Sequence, residues 1–265
     1  MEEREHIVGK SVKRVDAFEK VTGRAKYTDD FCDKSAYVAK ILHSTVAHGI
    51  VKSVDTKEAE RIPGVVKIVT CFDVPKNYFP TAGHPWSTDP AHQDVQDRLI
   101  LTDHVRFYGD DVAAVVAENE VAAVQAVRAI KVEYEELPFV LDVQKAMEAD
   151  APLIHEEYPG NILKHTAIRN GNYEEAKKEP GLIRVEGWYN TPTVQHCHIE
   201  NFICYAYMEQ GRIVLVSSTQ IPHICRRVVG QALGIPWGQV RVIKPYIGGG
   251  SAISRISYMN RSVHI

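Results

Sequence analysis

The sequence predicts an α+β fold in two domains, and three observations carry that reading. A strand–helix–strand run occupies residues 112–137. A second one occupies residues 212–244. Between them, residues 141–180 are rich in proline, glycine and charge and read as a connector. At 265 residues the chain has room for one large domain or two ordinary ones.

The elements follow in order. Ala36 to His43 suits a strand. Asp55 or Thr56 can cap a short helix that runs to Arg61 and closes at Pro63-Gly64. Val65 to Cys71 is a β-rich run, followed by a long loop from Pro75 to Arg98. Val112 to Ala117 is apolar and short enough for a buried strand. Asn119 can cap the next helix, and Ala123, Val127 and Ile130 recur at helical spacing on one face of it. Val132 to Leu137 returns as a strand that Pro138 stops, so the first domain covers residues 1–140. The second domain is expected to start between 155 and 180. Its strands are Arg184 to Tyr189, Phe202 to Glu209 and Arg212 to Ser217. Pro222 suits the first turn of a helix whose apolar stripe is Ile221, Cys225, Val228 and Ala232, with Gly234 ending it. Val240 to Lys244 is a last strand, and Gly248-Gly249-Gly250 follows.

Composition excludes several classes. A net charge of −3 gives no electrostatic reason to expect nucleic acid or an anionic membrane as partner. Met1 to Lys10 is charged and has no apolar core of a secretory signal, and no apolar run reaches membrane-span length. The five cysteines (Cys32, Cys71, Cys197, Cys204, Cys225) are odd in number, with no CxxC pair. That argues against a disulfide framework, a structural zinc or an iron–sulfur cluster in this chain, and a reducing cytoplasmic setting is expected.

Three constellations could carry chemistry. Gln220 lies where a strand turns into a helix, the kind of junction where unpaired helix-start amides meet ligands, and its amide can both donate and accept. A capping or turn residue is the plain alternative. Gly248, Gly249 and Gly250 follow a strand and would let backbone approach a ligand, or merely form a loop; neither a Walker nor a dinucleotide pattern is present. His196, Cys197, His198 and Glu200 crowd one stretch, and in a strand His196, His198 and Glu200 would share a face. No second ligand pair has metal spacing, so a pocket lining or a satisfied polar network is the simpler reading. Glu133, Glu135 and Glu136 alternate with Val132 and Tyr134 and read as a solvent face.

Several segments resemble the aldehyde oxidase/xanthine dehydrogenase family. RVDAFEKVTGRAKYTDD (14–30), HSTVAHGIV (43–51), IPGVVKIVT (62–70) and YGDDVAAVVAENEVAAVQAVRAIKVEYEELP (108–138) together outline its a/b hammerhead domain. YNTPTVQHCHIE (189–200), SSTQIPHICRRVVGQALGIP (217–236) and VRVIKPYIGGG (240–250) resemble the start of its molybdopterin-binding domain, here residues 155–250, in versions most similar to bacterial purine dehydrogenases. The resemblance implies a molybdenum hydroxylase that oxidises purines such as hypoxanthine or xanthine with water as oxygen donor. It implies a molybdenum–pterin cofactor in this subunit, with iron–sulfur clusters and FAD on partner subunits. By the same resemblance Gln220 hydrogen-bonds an oxo group of the molybdenum centre, and Gly248, Gly249 and Gly250 pass close to the cofactor.

The chain departs from the family after Gly250, where Phe-Gly would follow. Residues 251–265 contain no acidic residue. Back-translated with one added T, they read FGNKQDILYEPLCAY, which has the family's Phe-Gly and a later Glu-Pro. The inference is a single-base deletion at the codon after Gly250, leaving a frameshifted tail with no selected place in the fold. The molybdopterin domain is then incomplete, the general-base glutamate lies outside the chain, and residues 1–265 alone catalyse nothing. Two other readings stand beside the enzyme: an inactive remnant or subunit-docking module, and a free-standing small-molecule-binding domain that rests on the glycine loop.

Overall fold

A computed structural model describes residues 8–80, 95–163, 165, 167–192, 194, 197–249 and 262–264. Gly250 and His196 lie outside the described residues, as does most of the 251–265 segment.

The first half is built on β1 (Val38–His43), β2 (Gly49–Asp55), β3 (Val65–Thr70), β4 (His104–Val105), β5 (Asp111–Ala117) and β6 (Lys131–Glu136), with α1 (Ala17–Val21), α2 (Lys57–Glu60) and α3 (Glu120–Ala129). β5 pairs antiparallel with β1 on one side and β3 on the other. Its central place explains its apolar run, since Val112, Ala113, Val115 and Ala117 are all fully buried. β4, β2 and β6 form a separate three-stranded sheet. Val51, Leu101, Val105 and Val112 pack between the two sheets. The Asn119 side chain accepts from Ala122 N at 2.9 Å, the expected cap, and α3 turns Ala122, Ala123 and Ala126 inward. Alanines there let the helix lie close on the sheet. Glu133, Glu135 and Glu136 face solvent, as the alternation predicts. β2 escaped the sequence reading because a bulge between Val51 and Ser53 breaks its alternation.

The second half holds β7 (Ile203–Glu209), β8 (Arg212–Ser217), α6 (Pro222–Leu233) and β9 (Val240–Ile243). Gln210 and Gly211, both at positive φ, make a two-residue hairpin turn between β7 and β8. β8 and β9 run parallel and α6 crosses between them. Pro222 opens that helix, Gly234 closes it in the left-handed region at φ 68°, and Cys225, Val228 and Ala232 are buried. Phe79 from the first half packs on Val228 and Ala232, and Asn77 Nδ2 donates to Ala232 O at 3.2 Å.

Two expectations are corrected. Arg184 to Tyr189 is not a strand: among the described residues no strand pairs with it, and Ile183, Val185, Trp188 and Tyr189 are all more than four-fifths exposed. Residue preference for extended backbone does not make a strand without a hydrogen-bonding neighbour. The tail also takes part in the fold at 262–264. This segment, β10 (Ser262–His264), pairs antiparallel with β1 and parallel with β7. It thereby joins the strands of both halves into one sheet of order β3-β5-β1-β10-β7-β8-β9. Backbone pairing needs only N–H and C=O groups, so a segment of any sequence without proline can supply it.

Among the described residues of 141–202 the helical elements are single turns, α4 (Val143–Ala146), a 3-10 turn at Pro159–Asn161 and α5 (Tyr173–Ala176). Asn161 organises its first part: Nδ2 donates to Ala146 O and Pro152 O, and Oδ1 accepts from Ile154 N. Among the described residues no helix is long and apolar enough to cross a membrane.

Candidate functional site

Gln220 follows β8 and precedes α6; the glycine loop follows β9. Because β8 and β9 are parallel neighbours, both segments leave the sheet at the same, C-terminal edge. In open sheets of this kind ligands bind at that edge, where helix starts and loop amides gather. Gln220 is exposed there, while Ser217 and Thr219 beside it are buried. The Thr219 hydroxyl accepts from Ile221 N at 3.2 Å and shapes the turn into α6. Ile221 itself supplies no side-chain cap.

The glycine loop is held by Glu200. Its carboxylate accepts from Gly248 N at 2.7 Å and from Thr28 N, on the 3-10 turn Thr28–Phe31 of the first half, at 3.3 Å. One half-buried side chain thus ties the two halves together at the loop. The glycines are required by this packing. A Cβ at Gly248 would fall on Glu200 Cβ, and one at Gly249 would fall on the His198 ring. His198 in turn packs edge-on to Phe202, ring centroids 5.5 Å apart.

The sequence-predicted residues are therefore only partly brought together. Gln220, Gly248 and Gly249 share an edge. His198 and Glu200 face the glycine loop although their stretch is not a strand; Cys197 sits at φ 49° and breaks any regular alternation. Cys197 is exposed. Among the described residues no three His, Cys, Asp or Glu side chains form a metal-holding group. Glu200 as a tie between halves was not readable, because its two partners lie in segments remote in sequence and no local spacing marks the contact.

As donors, Gln220 and the loop fit a cofactor bearing oxo groups: a carboxamide at the open edge can donate to an oxygen without bringing charge.

A second titratable cluster lies in the first half. His48 Nδ1 is 2.7 Å from Pro138 O and must donate to it. In the neutral ring Nε2 is then an acceptor, and His104 Nε2 donates to it across 3.2 Å. His155 Nε2 stands 3.5 Å from Asp97, and Arg106 Nε donates to Ile154 O at 3.1 Å. These contacts pin the connector to the first half around a small cleft of about 120 Å³. Burial, then the nearby Arg106 charge, holds the His104 and His155 imidazoles below their ordinary 6.5. The fold prefers both rings neutral, whereas the unfolded chain takes up protons once the pH drops below 6.5. The stabilisation is thus complete above that pH and is lost as the pH falls through the folded values. Urea unfolding should show a midpoint that declines from pH 7.5 to pH 5.5, with a shallower decline in a His104→Phe, His155→Phe chain. Equal slopes for the two proteins would contradict this assignment.

Residues 22–138 match the family described as aldehyde oxidase and xanthine dehydrogenase, a/b hammerhead domain, and residues 154–251 match the molybdopterin cofactor-binding domain. The chain is 48% identical over 238 residues to the putative xanthine dehydrogenase molybdenum-binding subunit XdhA of Escherichia coli K12, covering 89% of this chain and 31% of that protein. It is 33% identical to the nicotinate dehydrogenase large molybdopterin subunit of Eubacterium barkeri, covering 92% of this chain and 55% of that one. The aldehyde oxidoreductase of Desulfovibrio desulfuricans superposes with a TM-score of 0.78 at 27% identity, over 97% of this chain and 30% of that structure. The chain thus spans about a third of the length of the E. coli subunit.

Proposed function

Because the chain belongs to the aldehyde oxidase and xanthine dehydrogenase family, we propose that it serves a molybdenum hydroxylase of the xanthine dehydrogenase type that oxidises purines such as hypoxanthine or xanthine. The observation that carries this reading is the placement of Gln220 and the Gly248–Gly249 loop on one open edge of the β8–β9 pair. The 48% identity to the E. coli subunit supports the purine class. A molybdenum–pterin group held there would supply the redox and oxygen-transfer chemistry. Gln220 would donate a hydrogen bond to an oxo group of that centre from the β8–α6 turn. Gly248, Gly249 and Gly250 would present backbone to the cofactor, with Glu200 as the residue that positions the loop. Iron–sulfur and FAD subunits are the proposed electron-transfer partners, in the cytoplasm.

The test uses the full-length subunit co-expressed with its partner subunits. Molybdenum content is measured together with dye reduction by hypoxanthine, xanthine and benzaldehyde. Gln220→Ala should keep the metal and lower purine turnover by about 10²-fold, the scale for one donor to a developing oxyanion. Turnover of benzaldehyde above that of both purines would reject the purine class. An unchanged rate in the variant would reject the role of Gln220.

A further inference from the structure

A second cleft opens on the face where the first and second halves meet. Its walls are residues 19–31 and 244–246, and its volume is about 470 Å³. Arg24, Lys26 and Lys244 line it, together with the apolar surfaces of Phe31 and Tyr246. Among the described residues Glu19 is the one carboxylate in the lining, and its Oε2 already accepts from the Tyr246 hydroxyl. Three cations against one engaged carboxylate make this a positive site on a chain of net charge −3.

The cleft is built rather than incidental. Tyr246 N donates to Lys26 O at 3.3 Å, so a backbone bond ties the two walls. Arg24 and Ala25 donate through their backbone N–H groups to Glu19 O at 2.8 and 3.0 Å, which fixes the turn that presents the cations. The Arg24, Lys26 and Lys244 side chains are exposed, and the Arg24 guanidinium lies over the Phe18 ring, 5.5 Å from its centroid.

We propose that this cleft binds a phosphate-bearing small molecule, the phosphate or diphosphate held by Arg24, Lys26 and Lys244 and a flat apolar portion laid against Tyr246 and Phe31. A guanidinium and two ammonium groups lining one cleft from two segments match the several oxygens of such an anion. Aromatic side chains beside cations suit a ring attached to it. The proposal is independent of the molybdenum reading and of Gln220.

The test is equilibrium binding to the 265-residue chain with inorganic phosphate, pyrophosphate and AMP at low and physiological salt. Saturable pyrophosphate binding that weakens with salt is expected. It should fall by about tenfold in Lys244→Gln and further in Arg24→Gln, Lys244→Gln, while Lys244→Arg retains it. Lys178→Gln, at a remote surface, should leave it unchanged, and thermal melts of all variants confirm folding. AMP binding tighter than pyrophosphate identifies a nucleotide-like ligand held through its ring; pyrophosphate tighter than AMP identifies a diphosphate held by charge alone. Binding that does not saturate, or that is equal in Lys178→Gln and the double variant, overturns the proposal.

Discussion

Replacing Glu200 by alanine should lower the unfolding free energy of this chain by about 2–3 kcal/mol, the scale for deleting a charged acceptor that serves two donors. The carboxylate accepts from Gly248 N and Thr28 N, and Thr28 is fully buried, so water cannot take over its amide without opening the structure. Hydrogen exchange should show the Thr28 and Gly248 amides losing protection together. Glu200→Gln keeps one carbonyl oxygen and should fall between wild type and alanine. A Glu200→Ala chain with an unchanged urea midpoint and unchanged exchange at both amides would show that the tie does not contribute. In a full-length subunit the same variant should load less molybdenum, because the loop would no longer be anchored to the first half.

Gly249→Ala should be destabilising for a steric reason. The added Cβ would sit 2.7 Å from both Cβ and Cγ of His198, well inside van der Waals contact. His198 cannot swing aside without giving up its edge-on packing on Phe202. Overpacking of this kind costs about 1–3 kcal/mol. A double-mutant cycle separates this from a generic glycine effect. His198→Ala removes the obstructing ring, so the Gly249→Ala, His198→Ala pair should lose clearly less than the sum of the single losses. Strict additivity would mean that the glycine is needed for backbone reasons and not for the room it leaves. The result bears on the site as well, since a displaced His198 would drag on the stretch that carries Glu200.

The sequence by itself determined the elements whose stabilisation is local or periodic. Asn119 caps α3 through its own side chain, and of the face read from spacing Ala123 and Ile130 are buried and Val127 is half-buried, while the burial of Ala122 and Ala126 was not read from the sequence. Pro222 and Gly234 bracket α6 because proline lacks the N–H an opening turn does not use, and glycine tolerates the left-handed exit. Gln220 at a strand–helix junction and the glycines after a strand were likewise legible, and their motifs marked the family. Tertiary structure decided what depends on partners remote in the chain. The β2 strand hides behind its bulge, Arg184–Tyr189 remains unpaired, and residues 262–264 fill the position between β1 and β7. Glu200 shows the reason most directly: a carboxylate in a histidine-rich stretch carries no local mark of its acceptor role. Its two donors come from segments that only folding brings together, and their hydrogen bonds are non-local. Local preference selects helix starts, ends and faces; which strand finds a neighbour, and which carboxylate finds two amides, is settled by the packing of the whole chain.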